Sequence, residues 1–152
     1  ISCSLVGSEM CIRDSRWEGG YVNNPNDQGG ATNKGITQNT YNAWLQSQGK
    51  PSKDVKNITD AEVRDIYHKN YWLAAGCDKM TPVFAVLCFD TAVNMGVSRA
   101  NEFLKAANWT DTNLFILARA EKYNEFAKNA SQRGFLHGWL NRLFDLKNYI
   151  ES

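Results

Sequence analysis

Apolar positions spaced three and four residues apart predict helices along most of the chain. The stretch over 57–72 places Thr59 three residues before Glu62, a capping box, and then aligns apolar side chains on one stripe. The stretch over 81–96 begins with Thr-Pro and ends with Gly, which is the usual asymmetry of helix ends, and it predicts a buried core helix. Further helices are expected over 37–47, 99–107, 111–129 and about 134–149.

The stretch just before the first of these helices is rich in polar residues and glycine. Residues 21–37 leave room for strands, and a small hairpin is the most that their pattern favours. Ser98 and Thr110 are the expected N-caps of the helices over 99–107 and 111–129.

The sequence therefore predicts a mainly α fold, a helical bundle with a small β-hairpin.

Length and charge exclude several classes of protein. At 152 residues, 43% of them hydrophobic, the chain is long enough for one domain with a real core. The formal net charge is only +1, and basic residues are not concentrated in any part of the chain. Both observations argue against nucleic-acid binding. The longest apolar run, over 83–93, is too short to span a membrane and contains Asp90. Cys77 and Cys88 are expected to be buried thiols rather than a disulfide.

The first fifteen residues, ISCSLVGSEMCIRDS, follow neither a strand nor a helix period. They also lack the basic-then-apolar order of a secretory signal. The string VGSEMCIRD resembles a translated sequencing adaptor. Residues 1–15 are therefore expected to be non-native sequence that replaces an original first helix.

The loop that follows, RWEGGYVNNPNDQGGATNKGITQ (16–38), carries two acids in a setting that suits glycoside cleavage. This chemistry needs one carboxylic acid to protonate the leaving oxygen and usually a second carboxylate to activate water. Glu18 and Asp27 lie nine residues apart across a turn rich in Asn and Pro. An aromatic neighbour such as Tyr21 could desolvate Glu18 and keep it protonated. For Asp27, an Asx-turn role is an equal alternative.

The same loop supplies candidate sugar contacts. Gly30 permits close approach of the backbone to a ring. Neutral donors and acceptors for hydroxyl and acetamide groups are Thr32, Asn33, Thr37 and Gln38. Thr32 is also a candidate for orienting water, or for supporting the hairpin. Many loops of this composition bind nothing or bind a metal, so composition alone leaves the function open.

Later in the chain, Asp90 and Asn94 lie one turn apart on one helix. The pair is a candidate cleft floor that contacts an N-acetyl group. Asp90 is alternatively a structural acid bonded to backbone or to an arginine, because an unpaired buried carboxylate is costly. His68 and His137 show no metal-ligand spacing, and Trp139 is expected in the core.

The block E-G-G-Y (18–21), followed by V-N-x-P-N-D-x-G-G-A-T-N-x-G-I-T, resembles the signature of glycoside hydrolase family 108, a group of phage-type N-acetylmuramidases. FDTAVNMG (89–96) resembles the second motif of that family. RGFLHGWLNRL (133–143) resembles the end of the peptidoglycan-associated domain that normally follows. The resemblance implies a lysozyme-like catalytic domain over 16–107, with Glu18 as the essential acid, and a C-terminal helical peptidoglycan-associated region over 108–152.

The resemblance implies a peptidoglycan hydrolase that cleaves the β-1,4 bond between N-acetylmuramic acid and N-acetylglucosamine. No metal or organic cofactor is expected. The expected partners are bacterial peptidoglycan and a holin for export, with no nucleic acid and no stable membrane insertion. A monomeric phage endolysin would wait in the host cytoplasm and act in the periplasm on the cell wall. Two alternatives remain: a lytic transglycosylase, and a non-catalytic peptidoglycan-binding or phage structural protein.

Overall fold

The computed structural model describes residues 19–25 and 28–152, and it is mostly helical with one small antiparallel sheet. It divides into two compact units, one ending at Asn70 and one running from Tyr71 to Ser152. Within the described ranges no helix has the length and apolarity that crossing a bilayer requires. The expectation of a mainly α fold with a small hairpin is confirmed. The domain boundary expected at 107/108 stays a prediction.

The first unit consists of a hairpin and two α-helices. Its elements are β1 (Thr32–Asn33), β2 (Ile36–Thr37), α1 (Gln38–Ser47), a 3-10 turn (Val55–Asn57) and α2 (Asp60–Tyr67). The chain continues after α2 as a π-helical segment, His68–Leu73. The single helix expected over 57–72 is therefore split into an α-helical part and a wider π-helical part.

Local chemistry explains where these elements begin and turn. Lys34 and Gly35 connect β1 and β2 with φ of +51° and +76°, the backbone of a two-residue turn that matches strand twist. The predicted capping box of α2 is present: Thr59 accepts from the Glu62 N–H, and the Glu62 carboxylate accepts from the Thr59 N–H. Thr37 caps α1 in the same way by accepting from the Thr40 N–H at 3.2 Å.

The second unit consists of four α-helices with two short 3-10 turns. Its elements are a 3-10 turn (Cys77–Lys79), α3 (Pro82–Met95), α4 (Val97–Ala106), α5 (Thr112–Ala127), a 3-10 turn (Arg133–Phe135) and α6 (Leu136–Glu151). The residues from Phe84 to Ala92 are all buried, which explains why this part of α3 is apolar except at Asp90 and Thr91. Cys77 and Cys88 are both buried thiols, as expected.

Two helix starts differ from the sequence expectation. Helix α4 begins at Val97 after Gly96, whose carbonyl accepts from the Ala100 N–H at 3.2 Å, so Ser98 already lies in the first turn. Helix α5 is capped by Asp111 and not by Thr110. The Asp111 carboxylate accepts from two N–H groups, those of Asn113 at 2.9 Å and Leu114 at 3.0 Å. Asp111 lies two and three residues before these donors, which is the spacing of an N-cap, whereas Thr110 lies one residue too far away.

Candidate active site

Of the three predicted catalytic residues, Glu18 and Asp27 lie outside the described residues, as do residues 1–15. Thr32 lies in β1, where its backbone is bonded on both sides. It exchanges two hydrogen bonds of 2.7 Å with Val22 and pairs with Thr37 across the hairpin. The segment that follows E-G-G-Y is thus joined to the hairpin by main-chain bonds, which hold Thr32 in one orientation.

Three predicted sugar ligands are instead bonded within the unit. The Asn33 side chain is buried and donates to the carbonyls of Val55 at 3.1 Å and Lys56 at 3.2 Å. The Gln38 amide donates to the Lys53 carbonyl at 2.7 Å and accepts from the Val55 N–H at 2.7 Å. These side chains, with the Thr37 cap, connect the hairpin to the loop before α2. Their polar atoms therefore form hydrogen bonds within the unit, and their role as sugar ligands stays a prediction.

The two remaining candidate sugar contacts of the first unit are Gly30 and Tyr21. Gly30 has φ of +77°, and a Cβ at this position would lie 3.2 Å from the Cβ of Gln38, so packing inside the protein already requires glycine. Tyr21 has 41% of its surface exposed, with the Lys56 ammonium 5.7 Å from its ring centroid. Tyr21 therefore remains a candidate for contact with a ligand next to the E-G-G block.

A second acid in the first unit has a purely structural setting. Burial alone would raise the pKa of Glu62, but hydrogen bonds from the Thr59 backbone, the Tyr41 hydroxyl and Lys53 outweigh burial and hold that pKa below its ordinary range. Burial raises the pKa of Tyr41, and the hydrogen bond to Glu62 adds to the effect. The Tyr41 hydroxyl donates to the carboxylate at 2.8 Å. Glu62 therefore stays ionised and is no candidate for a general acid.

The first unit also contains a polar pocket that the sequence did not indicate. It has a volume of about 380 Å³ and is lined by Thr40, Ala43, Trp44, Ser47, Lys69 and Asn70. These residues come from α1 and from the π-helical segment, so neither stretch shows the combination by itself. The Trp44 indole donates to the Asp65 carboxylate at 2.8 Å, which fixes the wall of the pocket.

In the second unit, Asp90 is the centre of a buried ionic cluster. Its side chain is fully buried, and it accepts from Arg119 at 2.6 Å and from Arg142 at 3.3 Å. Arg119 is itself fully buried and also donates to the Thr91 hydroxyl at 3.0 Å. The direct sugar contact proposed for Asp90 does not occur in this geometry, because the carboxylate faces arginines and not solvent. Its alternative role as a structural acid is the one that the structure has.

Asn94 lies at the edge of the same cluster. Its side-chain oxygen accepts from the Tyr123 hydroxyl at 2.5 Å and from Arg119 at 3.3 Å. Burial raises the pKa of Tyr123, against the opposing effect of Arg119. Asn94 also lines a pocket of about 250 Å³ with Arg99, Tyr123, Trp139 and two further residues. Trp139 stacks on Tyr123 with ring centroids 5.3 Å apart. It is half-buried and lines this pocket, so it lies at the margin of the core and not inside it as expected.

Residues 19–25 and 28–152 contain no candidate metal-binding site. No group of three or more His, Cys, Asp or Glu side chains converges there on a position that a metal ion could occupy. His137 lies beside Asn141 on α6, with the two side-chain nitrogens 3.2 Å apart.

Comparison with known proteins agrees with this fold. The chain is similar to the solved structure of SagA from Brucella abortus, with 24% sequence identity and a TM-score of 0.71, over 95% of this chain and 92% of that chain. At this identity the likeness shows the fold, which is lysozyme-like. No curated protein matches the sequence. The sequence model of the family described as Glycosyl hydrolase 108 matches residues 15–96, just over half of the chain. The chain therefore belongs to the glycosyl hydrolase 108 family.

Proposed function

We propose that the protein is an N-acetylmuramidase, which hydrolyses the β-1,4 bond between N-acetylmuramic acid and N-acetylglucosamine in bacterial peptidoglycan. The observation that carries the proposal is the family match over residues 15–96, which includes Glu18 in its E-G-G-Y context. Glu18 protonates the glycosidic oxygen as the general acid. Asp27, together with Thr32, positions or activates the attacking water.

Support from the geometry comes from the hairpin. Main-chain bonds on both sides of Thr32 make a rigid scaffold at the end of the loop that carries both acids. A rigid scaffold favours catalysis because reacting groups must be held to within a fraction of an ångström. Tyr21 follows the E-G-G block in sequence and has an exposed ring, so it is the aromatic side chain that we assign to sugar contact.

The biological setting that fits this activity is phage-induced lysis. In this proposal the enzyme is a monomeric endolysin that a holin releases to the wall. Two alternative functions remain for a chain with this loop. A lytic transglycosylase needs a single glutamate and no second carboxylate, and a wall-binding protein needs neither.

The test is mass spectrometry of the fragments released from purified Gram-negative peptidoglycan. We expect muropeptides with reducing N-acetylmuramic acid ends from the wild type. Glu18→Gln should lower their release by about 10²-fold or more, because general acid catalysis contributes about that much. The matched control is Glu102→Gln, a change of an exposed glutamate in the second unit, which should release fragments at the wild-type rate.

Each other outcome identifies an alternative. Fragments that end in 1,6-anhydro sugars would assign a transglycosylase. Unchanged release by Glu18→Gln would remove Glu18 from the reaction. No fragments from the wild type, with binding to the wall retained, would leave a binding protein. Asp27→Asn separates the remaining roles, since a group that activates water is needed for hydrolysis and not for anhydro-sugar formation.

A further inference from the structure

Trp109 is an exposed tryptophan in a backbone conformation that tryptophan rarely adopts. Its surface is 53% exposed and its φ is +60°, directly after Asn108 at +50°. The two residues end α4: the Asn108 N–H donates to the Lys105 carbonyl at 3.0 Å and the Trp109 N–H to the Leu104 carbonyl at 3.1 Å. These bonds form a Schellman-type helix end. The helix end therefore fixes the position from which the indole projects.

The indole borders a cavity within the second unit. This cavity, the Trp109 pocket, has a volume of about 400 Å³, within the range of small-molecule sites. Its other lining residues are Ala75, Gly76, Lys79, Met80, Thr81 and Phe84. A strained backbone that presents an exposed aromatic ring to a cavity is the kind of outlier that points to function.

Two polar side chains of the pocket, those of Thr81 and Lys79, lack the usual partners among the described residues. Thr81 occupies the N-cap of α3, yet its hydroxyl makes no capping hydrogen bond. Lys79 forms no ion pair with any residue that the structure describes, and it is exposed. The pocket thus combines an aromatic face, a hydroxyl and a cation. An aromatic face suits the C–H face of a pyranose, the hydroxyl suits its oxygens, and the ammonium suits a carboxylate.

We propose that the Trp109 pocket is an accessory binding site for a carboxylate-bearing saccharide of the cell-wall glycan, with the sugar ring on Trp109 and the carboxylate at Lys79. The inference rests on the proposed function, which makes this glycan the substrate. Two sources supply the carboxylate: the lactyl group of N-acetylmuramic acid in glycan strands without stem peptides, and the stem peptides themselves in intact wall. Binding there holds the enzyme on the polymer between successive cleavages.

The experiment measures binding without turnover. Glu18→Gln protein is co-sedimented with intact sacculi and with sacculi stripped of peptides by an amidase, and its affinity for an uncharged chitin oligosaccharide is titrated. Trp109→Ala in this background should weaken binding to all three by roughly tenfold. Lys79→Gln should weaken binding only to the two carboxylate-bearing ligands. The matched control is Phe144→Ala, which removes an aromatic ring that is 58% exposed elsewhere in the unit and should change nothing.

The outcomes separate this proposal from the proposed function. Binding by Trp109→Ala equal to that of Phe144→Ala would overturn the pocket as a glycan site, whatever the muropeptide release shows. Weakened binding by Trp109→Ala, with no release by the wild-type enzyme, would refute the muramidase and leave the pocket. Trp109→Gly, which accepts the φ of this position, keeps the test valid if Trp109→Ala does not fold. If Lys79→Gln weakened binding to chitin as much as binding to sacculi, the site would not recognise a carboxylate. If Lys79→Gln weakened binding to only one of the two sacculus preparations, that preparation would identify the source of the carboxylate.

Discussion

Asp90 shows how much a single side chain can determine inside the second unit. Two arginines converge on it, and both of them and the carboxylate are almost fully shielded from water. Removing one member of a buried charge cluster leaves the others without compensation, and this costs far more than the cluster contributes in net terms. Asp90 is therefore a structural requirement of the unit, although it lies within the stretch that matches the family model.

We expect Asp90→Asn to lower the free energy of unfolding by about 3 kcal/mol, because it leaves the Arg119 charge buried beside a neutral amide. Urea unfolding followed by circular dichroism measures this change. Asp78→Asn is the matched control, since Asp78 is exposed in the same unit, and it should shift stability by less than about 0.5 kcal/mol. Equal effects of the two substitutions would contradict a structural role for the cluster.

The backbone at Trp109 leads to a second expectation at the residue scale. Trp109→Gly and Trp109→Ala remove the same ring, but only glycine accepts a φ of +60° without strain. We expect the glycine variant to be more stable than the alanine variant by about 1 kcal/mol in urea unfolding. The order should reverse at Ala106, the last residue of α4, because helical backbone there favours alanine over glycine. If alanine gave the more stable variant at both positions, the backbone at Trp109 would not be strained.

Among the secondary-structure elements, α2 has the most complete N-terminus. Thr59 and Glu62 satisfy each other's N–H groups, and Glu62 also accepts from Tyr41. This capping box was predictable because both partners lie within one turn of sequence. The Asp111 cap and the start of α4 at Val97 were predicted one or two residues away, because several residues in each stretch can cap and neighbouring turns decide between them.

Stability should depend on pH through Glu62. Its pKa is lower in the folded chain than the ordinary 4.5, so the unfolded chain takes up the proton first as pH falls. The contribution of the ionised carboxylate, about 1 kcal/mol for a cap, is complete above pH 4.5 and is lost as pH falls through the folded pKa. Melting temperatures of the wild type and Glu62→Gln should therefore converge below pH 4.5. A constant difference down to pH 3 would contradict this assignment.

At the scale of the whole molecule, the sequence was sufficient for the fold class and the family, but not for the roles of the polar side chains. The helical periods and the E-G-G-Y block are local patterns, and a linear chain displays them directly. The bonds of Gln38 to the 53–55 loop and of Arg119 to Asp90 join segments 15 to 29 residues apart. No spacing rule reveals such bonds, so Asn33, Gln38 and Asp90 were equally compatible with binding a sugar and with supporting the fold. The Trp109 pocket, with a volume of about 400 Å³, likewise joins residues between Ala75 and Phe84 to Trp109, which lies 25 or more positions further along the chain.

The internal use of Asn33, Thr37 and Gln38 has a consequence for evolution. Selection for folding is sufficient to retain these three side chains, since each one joins the hairpin to its surroundings. A descendant that loses its catalytic acid would still be selected to keep them. Their presence in a diverged homologue thus indicates an intact hairpin and says nothing of catalysis. Under the function proposed above, replacement of Glu18 is the change that would mark the step from an enzyme to a binding protein.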